Sequence, residues 1–390
     1  MTPRLRCCLV FSAFLVVACG GGGVPSPAPL DQAPPSPSER PLRCEPGEPF
    51  SWQRETVGEI ASERITSKAI AARDLDGDGG DELARALPNG SVEFWKRDDS
   101  RWVSVALADL SGPVETMVLA DVTHDGRVDL VGAASTEPVL RIARGTAEGV
   151  GFEPVEVLPL PVAVASLTVL RLEQGDGLVV GSLPASELNG AWLLSSADAE
   201  PVPLPVQAPS AFVPADFDRD GDEDLAAGAG WLENLGDGRF SRHPLAVQSP
   251  ASELQFPTDM SAADFDGDGY TDVAWMEGYA FHVLRNTRRS DFEPIWRVFQ
   301  IYGLATVAGR VDCDELPDLV GVAGQQRLQL FLNGPNGFAD TPSHTAPGDV
   351  LGIRSGDFDG DGRMDLAQPS ARGECSDTAC ANDLGVLMAR

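Results

Sequence analysis

Short apolar runs alternate with turn-forming Gly, Asp and Pro residues along the chain from Phe50 onward. Thr116–Ala120, Leu130–Ala133 and Leu328–Leu332 are examples of such runs. Runs of this length, bounded by turn residues, are typical of β-strands, because amphipathic helices need longer stretches with a helical period. The pattern therefore predicts an all-β chain that is built from many short strands.

An acidic turn recurs between these runs and sets their period. Five copies are regular, beginning with Asp74–Leu83, and two copies are degenerate, Val169–Leu178 and Arg310–Leu319. The copies start at Asp74, Asp121, Val169, Asp216, Asp264, Arg310 and Asp357. Their spacing of about 47 residues is the length of one four-stranded propeller blade, and a β-sandwich does not account for equal periods. We therefore predict one seven-bladed β-propeller over residues 50–390.

Each period supplies strands A to D of one blade, with the acidic turn between strands A and B. Small residues in strand B, as in Leu130–Ala133, suit the crowded region near the axis where the sheets converge. The last period ends with a third strand at Leu384–Ala389 and lacks a fourth, whereas Phe50–Val57 has the pattern of an unassigned strand. We predict that Phe50–Val57 becomes strand D of the seventh blade, which closes the ring and leaves no exposed edge.

The regular turns place oxygen atoms at fixed positions. In the pattern Asp-x-Asp-x-Asp-Gly-x-x-Asp, carboxylates stand at positions 1, 3, 5 and 9, a backbone carbonyl is available at position 7, and Gly at position 6 permits the reversal. Hard oxygen ligands in this number suit Ca²⁺ best and Mg²⁺ second, whereas Zn²⁺ prefers His and Cys, so we predict about five Ca²⁺ sites. The predicted ligands are Asp74, Asp76, Asp78, Glu82, Asp121, Thr123, Asp125, Asp129, Asp216, Asp218, Asp220, Asp224, Asp264, Asp266, Asp268, Asp272, Asp357, Asp359, Asp361 and Asp365.

The turns differ in how completely they match this pattern. Thr123 replaces one carboxylate in the second turn, so we expect that turn to bind its ion more weakly. Arg310 and Glu315 interrupt the sixth turn and Val169 begins the third, so we predict no ion in either. An EF-hand would need a bidentate Glu at position 12 and flanking helices, and the copies have neither. A solvated acidic turn without metal is the alternative for any single copy, but five copies at one period favour the ion.

These repeats resemble the FG-GAP repeats of integrin alpha chains and of many bacterial repeat proteins, which are also called VCBS repeats. Tyr302-Gly303 and Asp129–Ala133 are similar to the two segments that give the family its name, and the resemblance covers roughly residues 50–390. The resemblance implies that the turns join strands A and B and hold Ca²⁺ structurally. It also implies a role in adhesion or ligand recognition, although a shared fold does not identify the partner.

Residues 1–18 have the three regions of a bacterial signal peptide. Two arginines form a positive n-region, and the apolar run that follows is too short to span a membrane. The segment ends in Val16–Ala18 before Cys19, which resembles a bacterial lipobox. The resemblance implies cleavage before Cys19 and acylation of that residue, whereas the alternative is an ordinary signal peptide cut nearby. We expect a cell-envelope lipoprotein held at the membrane by its lipid anchor only. Gly20, in place of an inner-membrane retention Asp, favours the outer membrane.

Residues 19–49 follow the predicted cleavage site and are rich in Gly, Pro and Ser. This composition cannot bury enough apolar surface to form a core. It therefore predicts a semi-extended tether that holds the propeller away from the membrane.

Four cysteines remain in the mature chain beyond the lipidation site, an even number that suits an oxidising compartment. Cys375 and Cys380 lie close together in the last blade, so we expect them to form a disulfide. A second bridge between Cys44 and Cys313 would fasten the N-terminal segment to the ring. Four thiols allow three pairings, and their spacing does not choose between them.

The charge balance and the lack of a catalytic set restrict the possible functions. Asp and Glu outnumber Lys and Arg by 59 to 29, for a net charge of −30, which disfavours nucleic acid as a partner. The four histidines are isolated, and no Gly-x-Ser-x-Gly motif is present, so we expect no enzyme. We predict a binding, adhesion or scaffold module with an unknown protein or glycan ligand.

Two other functions stay open at this point. A lectin or carbohydrate-active enzyme that uses the propeller surface is the main alternative, and a subunit of an envelope assembly is the other. Trp95, Trp192, Trp231 and Trp275 fall on strands, where tryptophan is expected in the core rather than as a sugar platform. In each case we expect the ligand on the face opposite the acidic turns or near the central channel.

Overall fold

The computed structural model describes the repeat region and a short segment before it. The described residues are 40–43, 50–61, 67–147, 150–182, 190–206, 211–228, 230–236, 238–245, 259–277, 280–288, 291–299, 303–324, 327–341, 343–345, 349–350, 352–376 and 379–390. The predicted signal peptide, the lipidation site Cys19 and most of the predicted tether lie outside these residues. In the part of the chain so described, no helix has the length and apolar character needed to cross a membrane.

Seven antiparallel sheets follow one another along the chain and form a ring, which confirms the predicted β-propeller. In six of them the strands pair in sequence order from the axis outward, because each short loop can join only neighbouring antiparallel strands. The first to sixth blades contain β2 (Ile70–Arg73), β3 (Glu82–Ala86), β4 (Ser91–Asp98) and β5 (Arg101–Asp109); β6 (Thr116–Ala120), β7 (Asp129–Ala133), β8 (Val139–Ala143) and β9 (Glu156–Pro159); β10 (Val164–Leu172), β11 (Gly175–Ser182), β12 (Ala191–Leu194) and β13 (Val202–Leu204); β14 (Phe212–Ala215), β15 (Asp224–Ala227), β16 (Gly230–Asn234) and β17 (Phe240–Pro244); β18 (Asp259–Ala263), β19 (Asp272–Glu277), β20 (Ala280–Asn286) and β21 (Phe292–Phe299); and β22 (Gly303–Gly309), β23 (Asp318–Ala323), β24 (Arg327–Leu332), β25 (Ala339–Asp340) and β26 (His344–Thr345).

The seventh blade joins the two ends of the described chain. It contains β27 (Asp349–Val350), β28 (Arg354–Gly356), β29 (Asp365–Ser376), β30 (Ala379–Ala389) and, as its outer strand, β1 (Trp52–Ala61). β1 pairs with β30 from Trp52↔Ala389 to Ala61↔Ala381. The predicted closure by an N-terminal strand is therefore confirmed, and this strand extends beyond the predicted end at Val57. A 3-10 helix, Ser67–Ala69, leads from this strand towards the first blade.

The third blade departs from the others at the position of the acidic turn. β10 and β11 stay paired as far as Leu172 and Gly175, so a tight hairpin replaces the turn. Asp176 Oδ2 accepts hydrogen bonds from the backbone N of Asp121 at 3.0 Å and from the Arg73 guanidinium at 3.2 Å. Where the regular turn is missing, this ion pair links the first three blades.

Apolar side chains pack between neighbouring blades, and small residues in strand B make room for them. The ring of Phe281 lies 5.6 Å from that of Phe331 across the boundary between the fifth and sixth blades. A Cβ added to Gly321 would come 1.7 Å from Phe281 Cζ. Burial of one such phenylalanine contributes roughly 1.5–3 kcal/mol. The small residue in strand B therefore accommodates an aromatic ring of the neighbouring blade.

The strand tryptophans are mostly part of this core. Trp231 is fully buried, and Trp95 and Trp275 are buried to a similar degree, as predicted. Trp192 is half-buried. The buried rings are packed inside or between blades and are not available as platforms for a sugar.

A segment just before β1 lies across the boundary between the seventh and first blades. Arg40 is 6% exposed, and its guanidinium donates to Asp81 Oδ1 at 2.6 Å, to Gly79 O at 2.9 Å and to Asp357 O at 3.2 Å. The backbone N of Arg43 donates to Asp361 O at 2.9 Å. Residues 40–43, which the composition places in the tether, are therefore bound to the ring on the side of the acidic turns.

The structure describes the side chain of one of the four cysteines that follow Cys19. Cys313 is buried in the sixth blade. Cys375 and Cys380 lie on β29 and β30, on either side of the hairpin that joins these strands, but their side chains lie outside the description, as does Cys44. The disulfide between Cys375 and Cys380 therefore stays a prediction.

Candidate metal centres

The acidic turns lie on one face of the ring, because strand A runs in the same direction in every blade. We call this the turn face and number each turn by its blade. In the fourth turn, Asp216 accepts hydrogen bonds from the backbone N of Arg219 at 2.6 Å and of Gly221 at 3.2 Å. Asp264 accepts from Asp268 and Gly269 in the same manner. Each oxygen keeps a further lone pair, so these bonds orient the first carboxylate for a cation.

Two positions in each regular turn have a left-handed backbone. Gly at position 6 has φ between 83° and 100°, which explains the predicted need for glycine there. Position 4 is also left-handed, and the sequence pattern did not indicate this. Glycine occupies position 4 in the first, fifth and seventh turns, whereas His124 and Arg219 adopt φ of 57° and 65° in the second and fourth. These two side chains are therefore held in a conformation that costs about 1–2 kcal/mol per residue outside glycine.

The carboxylate at position 9 is buried and held by backbone groups. Asp224 is 0% exposed, its Oδ1 accepts from the backbone N of Asn234 at 2.7 Å, and its Oδ2 accepts from Phe217 at 2.9 Å. Asp272 is held in the same way by Asn286 and Phe265. Burial raises the pKa of Asp224 and of Asp272 to about 7, because the charged form is poorly solvated there. A bound cation would offset this cost.

Four turns bring three carboxylates together closely enough to share one ion. In each, one oxygen from each of the three carboxylates lies within 4.8 Å of the others. The groups are Asp74, Asp76 and Asp78; Asp216, Asp218 and Asp224; Asp264, Asp266 and Asp272; and Asp357, Asp359 and Asp365. The donors are all hard oxygens on a tight backbone turn, so the residues present fit Ca²⁺.

Some predicted ligands stand outside these groups. Among the described residues, Glu82, Asp220, Asp268 and Asp361 do not join the close sets of three, and the second turn forms no such set. The second turn has Thr123 in place of a carboxylate, and Asp121 there accepts two backbone N–H groups as Asp216 does. Asp125 and Asp129 complete the predicted ligands of this turn, and the backbone N of Gly145 donates to Asp129 Oδ1 at 2.9 Å.

Basic side chains approach several of the turns and change their charge. Lys96 Nζ contacts Asp76 Oδ2, lies 2.7 Å from Asp78 Oδ2, and lies 3.8 Å from Glu82 Oε1. In the seventh turn, Arg40 Nη1 lies 3.3 Å from Asp357 Oδ2. Lysine and arginine at these points neutralise carboxylates that an ion would otherwise use.

The fourth turn differs from the first and seventh in the basic side chains near its carboxylates. No ion pair joins Asp216, Asp218 or Asp220 to a basic side chain within 4.0 Å, as far as the described residues extend. Asp224 is likewise bound only by backbone donors. The fourth turn is therefore the regular turn with the most negative surroundings.

The degenerate sixth turn contains a positive charge of its own. Arg310 stands at position 1, where the regular turns have Asp, and its guanidinium lies 3.8 Å from Glu315 and contacts the backbone carbonyl of Arg40. The charge of arginine thus takes the place of a cation within the turn. Asp318 still occupies position 9, and burial raises its pKa to about 7.

Asparagines at the end of strand C hold adjacent turns together, and sequence reasoning missed them. Asn286 Nδ2 donates to Phe217 O of the fourth turn at 2.6 Å and to Thr271 O of its own turn at 3.2 Å. Asn333 Nδ2 makes the equivalent bond to Phe265 O of the fifth turn at 2.6 Å. The recurrence of Asn after the apolar residues of strand C was the available signal.

A family model that describes an FG-GAP-like repeat matches residues 216–275 and 310–367. The first match contains the complete fourth and fifth turns. The second contains the degenerate sixth turn and the complete seventh turn. The matched segments therefore include three of the four turns that form the candidate metal centres, and the first turn lies outside them. No curated protein matches the chain.

Solved structures of low sequence identity share the propeller fold. BBS1N, crystallised in complex with ARL6DN, is 15% identical with a TM-score of 0.56, and the alignment covers 85% of this chain and 96% of that one. The RRP9 WD40 repeats are 10% identical with a TM-score of 0.54, over 87% and 100% of the two chains. A lectin of Agrocybe aegerita that recognises non-reducing terminal N-acetylglucosamine is 15% identical with a TM-score of 0.50, over 77% and 81%. At this identity the similarity extends to the fold alone.

Proposed function

Since this chain is a β-propeller with FG-GAP repeats, we propose that it is a Ca²⁺-stabilised binding module anchored at the cell envelope. One observation carries the proposal: four turns on one face each gather three carboxylates within 4.8 Å, as an oxygen site for one ion requires. The ions are structural in this proposal. They remove repulsion between carboxylates and leave the opposite face free for a ligand.

The position of the N-terminal segment supports an arrangement with two distinct faces. Arg40 and Arg43 bind the first and seventh turns, so the chain enters the ring from the turn face. The opposite face contains the starts of strand A, and we propose it as the side that meets a partner.

Thermal unfolding with and without a chelator tests the proposal that Ca²⁺ stabilises the fold. Removal of Ca²⁺ should lower the melting temperature, since an ion at 100 times its dissociation constant stabilises the folded state by about 2.7 kcal/mol per independent site. Asp264→Asn should reduce the shift, whereas Asp314→Asn in the degenerate sixth turn should leave it unchanged. An identical melt with and without Ca²⁺ would contradict a structural role for the ion.

The anchor and the absence of catalysis need separate measurements. Growth with labelled palmitate should label the protein, and Cys19→Ala should abolish the label and release the protein from membranes. A polysaccharide array with product analysis then tests the binding role. Saturable binding without products favours a lectin among binding modules, whereas turnover would refute the non-enzymatic proposal.

A further inference from the structure

A cavity of about 580 Å³ opens at the centre of the ring. Its walls are the first strands of all seven blades, and one end is formed by residues near the starts of these strands. We call this end the channel mouth, and it is formed by Lys68, Thr116, Ser166, Phe212, Asp259, Thr306 and Arg354. Because the acidic turns follow strand A, the channel mouth opens on the face opposite the turn face.

The charges inside the cavity differ from those of the rest of the molecule. The whole chain has a net charge of −30, but the charged residues that line the cavity, among those described, are two cations, Lys68 and Arg354, and one anion, Asp259. Glu115 lies near Lys68 but outside the lining, where it is exposed and accepts a hydrogen bond from the backbone N of Ser135 at 2.9 Å. The described lining of the mouth therefore carries a net positive charge.

The carboxylate of Asp259 already accepts hydrogen bonds from two backbone N–H groups. Asp259 Oδ2 accepts from the backbone N of Thr306 at 3.0 Å, and its Oδ1 accepts from Met260 at 3.1 Å. These bonds fix the carboxylate against strand A of the fifth and sixth blades. Asp259 thus attracts the two cations without occupying their donors.

Among the described residues, the two cations each have one hydrogen-bond acceptor. Arg354 Nη1 donates to Ile353 O at 3.3 Å, and its guanidinium has no carboxylate within 4.0 Å among the described residues. Lys68 Nζ donates to Ala165 O of the third blade at 3.1 Å, so its side chain extends from the first blade across the mouth. Arg354 is half-buried, and Asp259 attracts it without pairing with it. An entering anion would accept hydrogen bonds from the remaining N–H groups of this guanidinium.

We propose that the channel mouth binds the carboxylate of an acidic peptide segment of a protein partner. This proposal rests on the proposed function as a binding module and specifies its ligand. The planar fork of Arg354 matches the two oxygens of a carboxylate, and Lys68 of the adjoining first blade adds a point charge. Asp259 leaves a net single positive charge, which favours a monoanionic carboxylate over a dianionic phosphate.

The test uses two fluorescein-labelled peptides measured by fluorescence polarisation with Ca²⁺ present. Tetraglutamate with an amidated C-terminus offers side-chain carboxylates only, and tetraglycine with a free C-terminus offers a terminal carboxylate only. Binding of either peptide to the full chain is the expected result, and the two arms identify the source of the carboxylate. Acetate should compete for the site more effectively than inorganic phosphate.

Substitutions locate the binding. Arg354→Gln should raise the dissociation constant at least tenfold and Lys68→Met severalfold, whereas Asp259→Asn should lower it because it removes the opposing charge. Arg327→Gln is the matched control, because Arg327 is exposed at the start of β24 on the same face but outside the cavity. Melting with and without a chelator on the same samples tests the proposed calcium role independently.

Three outcomes would overturn the proposal. The first is that neither peptide binds a folded, Ca²⁺-stabilised chain. The second is that Arg354→Gln and Asp259→Asn bind as the unmodified chain does. The third is competition by phosphate in the absence of competition by acetate. If Ca²⁺ does not stabilise the chain but the peptide still binds through Arg354, the structural role of the ion is refuted. The proposed peptide site is then unaffected.

Discussion

Asn286 Nδ2 lies 2.6 Å from the backbone carbonyl oxygen of Phe217, across the boundary between the fifth and fourth blades. Asn286 is 1% exposed, and its backbone N also donates to Asp272. One residue thus binds the carboxylate of its own turn and the backbone of the preceding turn. The regular turns are therefore connected to one another as well as to their own blades.

Replacement of this asparagine should destabilise the ring. Asn286→Ala leaves the buried carbonyls of Phe217 and Thr271 without their donor, which costs about 1–3 kcal/mol. Urea unfolding of the Ca²⁺-loaded protein measures the loss. Asn234→Ala is the matched control, because Asn234 Nδ2 donates only within its own blade, to Glu223 O, and the third blade has no acidic turn to receive it. Equal losses in the two variants would contradict a role in joining blades.

Removal of the Lys96 ammonium should strengthen calcium binding at the first turn. The ammonium contacts Asp76 and Asp78, and these carboxylates raise the pKa of Lys96, so an incoming ion must displace a bound charge. Lys96→Met should lower the dissociation constant of that turn about tenfold, equivalent to about 1.4 kcal/mol. Calorimetric titration with Ca²⁺ measures the change.

A double variant tests whether the gain in Ca²⁺ affinity arises in the first turn. The double variant Asp76→Asn with Lys96→Met lacks one of the ligands, so it should lose the gain. A gain that persists in the double variant would show that Lys96 acts elsewhere. Unchanged affinity in Lys96→Met itself would show that the ammonium moves aside without cost.

His282 should make the fold sensitive to mild acid. It is 4% exposed on β20 beside Trp275, and burial lowers its pKa from 6.5 to about 4. The folded state therefore favours neutral imidazole. This contribution is complete above pH 6.5 and is lost as the pH falls towards 4. At pH 5 the loss is about 2 kcal/mol.

The measurement compares urea midpoints at pH 7.5 and pH 5 for the unmodified chain and for His282→Phe. The variant should lose less stability between these values, because it has no imidazole at this position that must bind a proton on unfolding. The many acidic residues titrate in both proteins and cancel in the comparison. The same loss in both proteins would show that His282 does not govern acid sensitivity.

Gly321 should tolerate no side chain. An alanine Cβ would come 1.7 Å from Phe281 Cζ, so Gly321→Ala should destabilise the fold by about 3 kcal/mol through overpacking. Gly190→Ala is the control, since its Cβ would come no closer than 3.6 Å to Trp192. Phe281→Leu should partly restore the stability of Gly321→Ala, because the two sites share one space. A Gly321→Ala protein as stable as the control would refute the packing argument.

The period and the turn pattern carried most of the fold prediction. Position 9 and the Gly at position 6 follow local rules of charge and backbone conformation, so Asp224 and Gly221 were identifiable from sequence alone. Closure by the strand before the first repeat followed from counting strands. Its end at Ala61 did not, because cross-strand pairing with Ala381 sets that boundary.

Contacts between distant parts of the chain escaped prediction. Lys68 and Ala165 are 97 residues apart, and nothing in their surroundings in the sequence indicates that they meet across the channel mouth. Arg40 lies in a stretch whose composition predicts a tether, yet it binds Asp81 through one strong ion pair. Such contacts depend on how the blades are arranged around the axis, which the pattern of a single repeat does not describe.

Pairing of β1 with β30 determines how the molecule would bear mechanical load. β1 starts on the turn face at Trp52 and runs antiparallel to β30. A protein held by its N-terminus and pulled from the channel mouth would be loaded along these strands, in shear. The hydrogen bonds between them would then resist together instead of opening one after another like a zipper. The seam that closes the ring is thus oriented to resist tension applied between the N-terminal segment and the channel mouth.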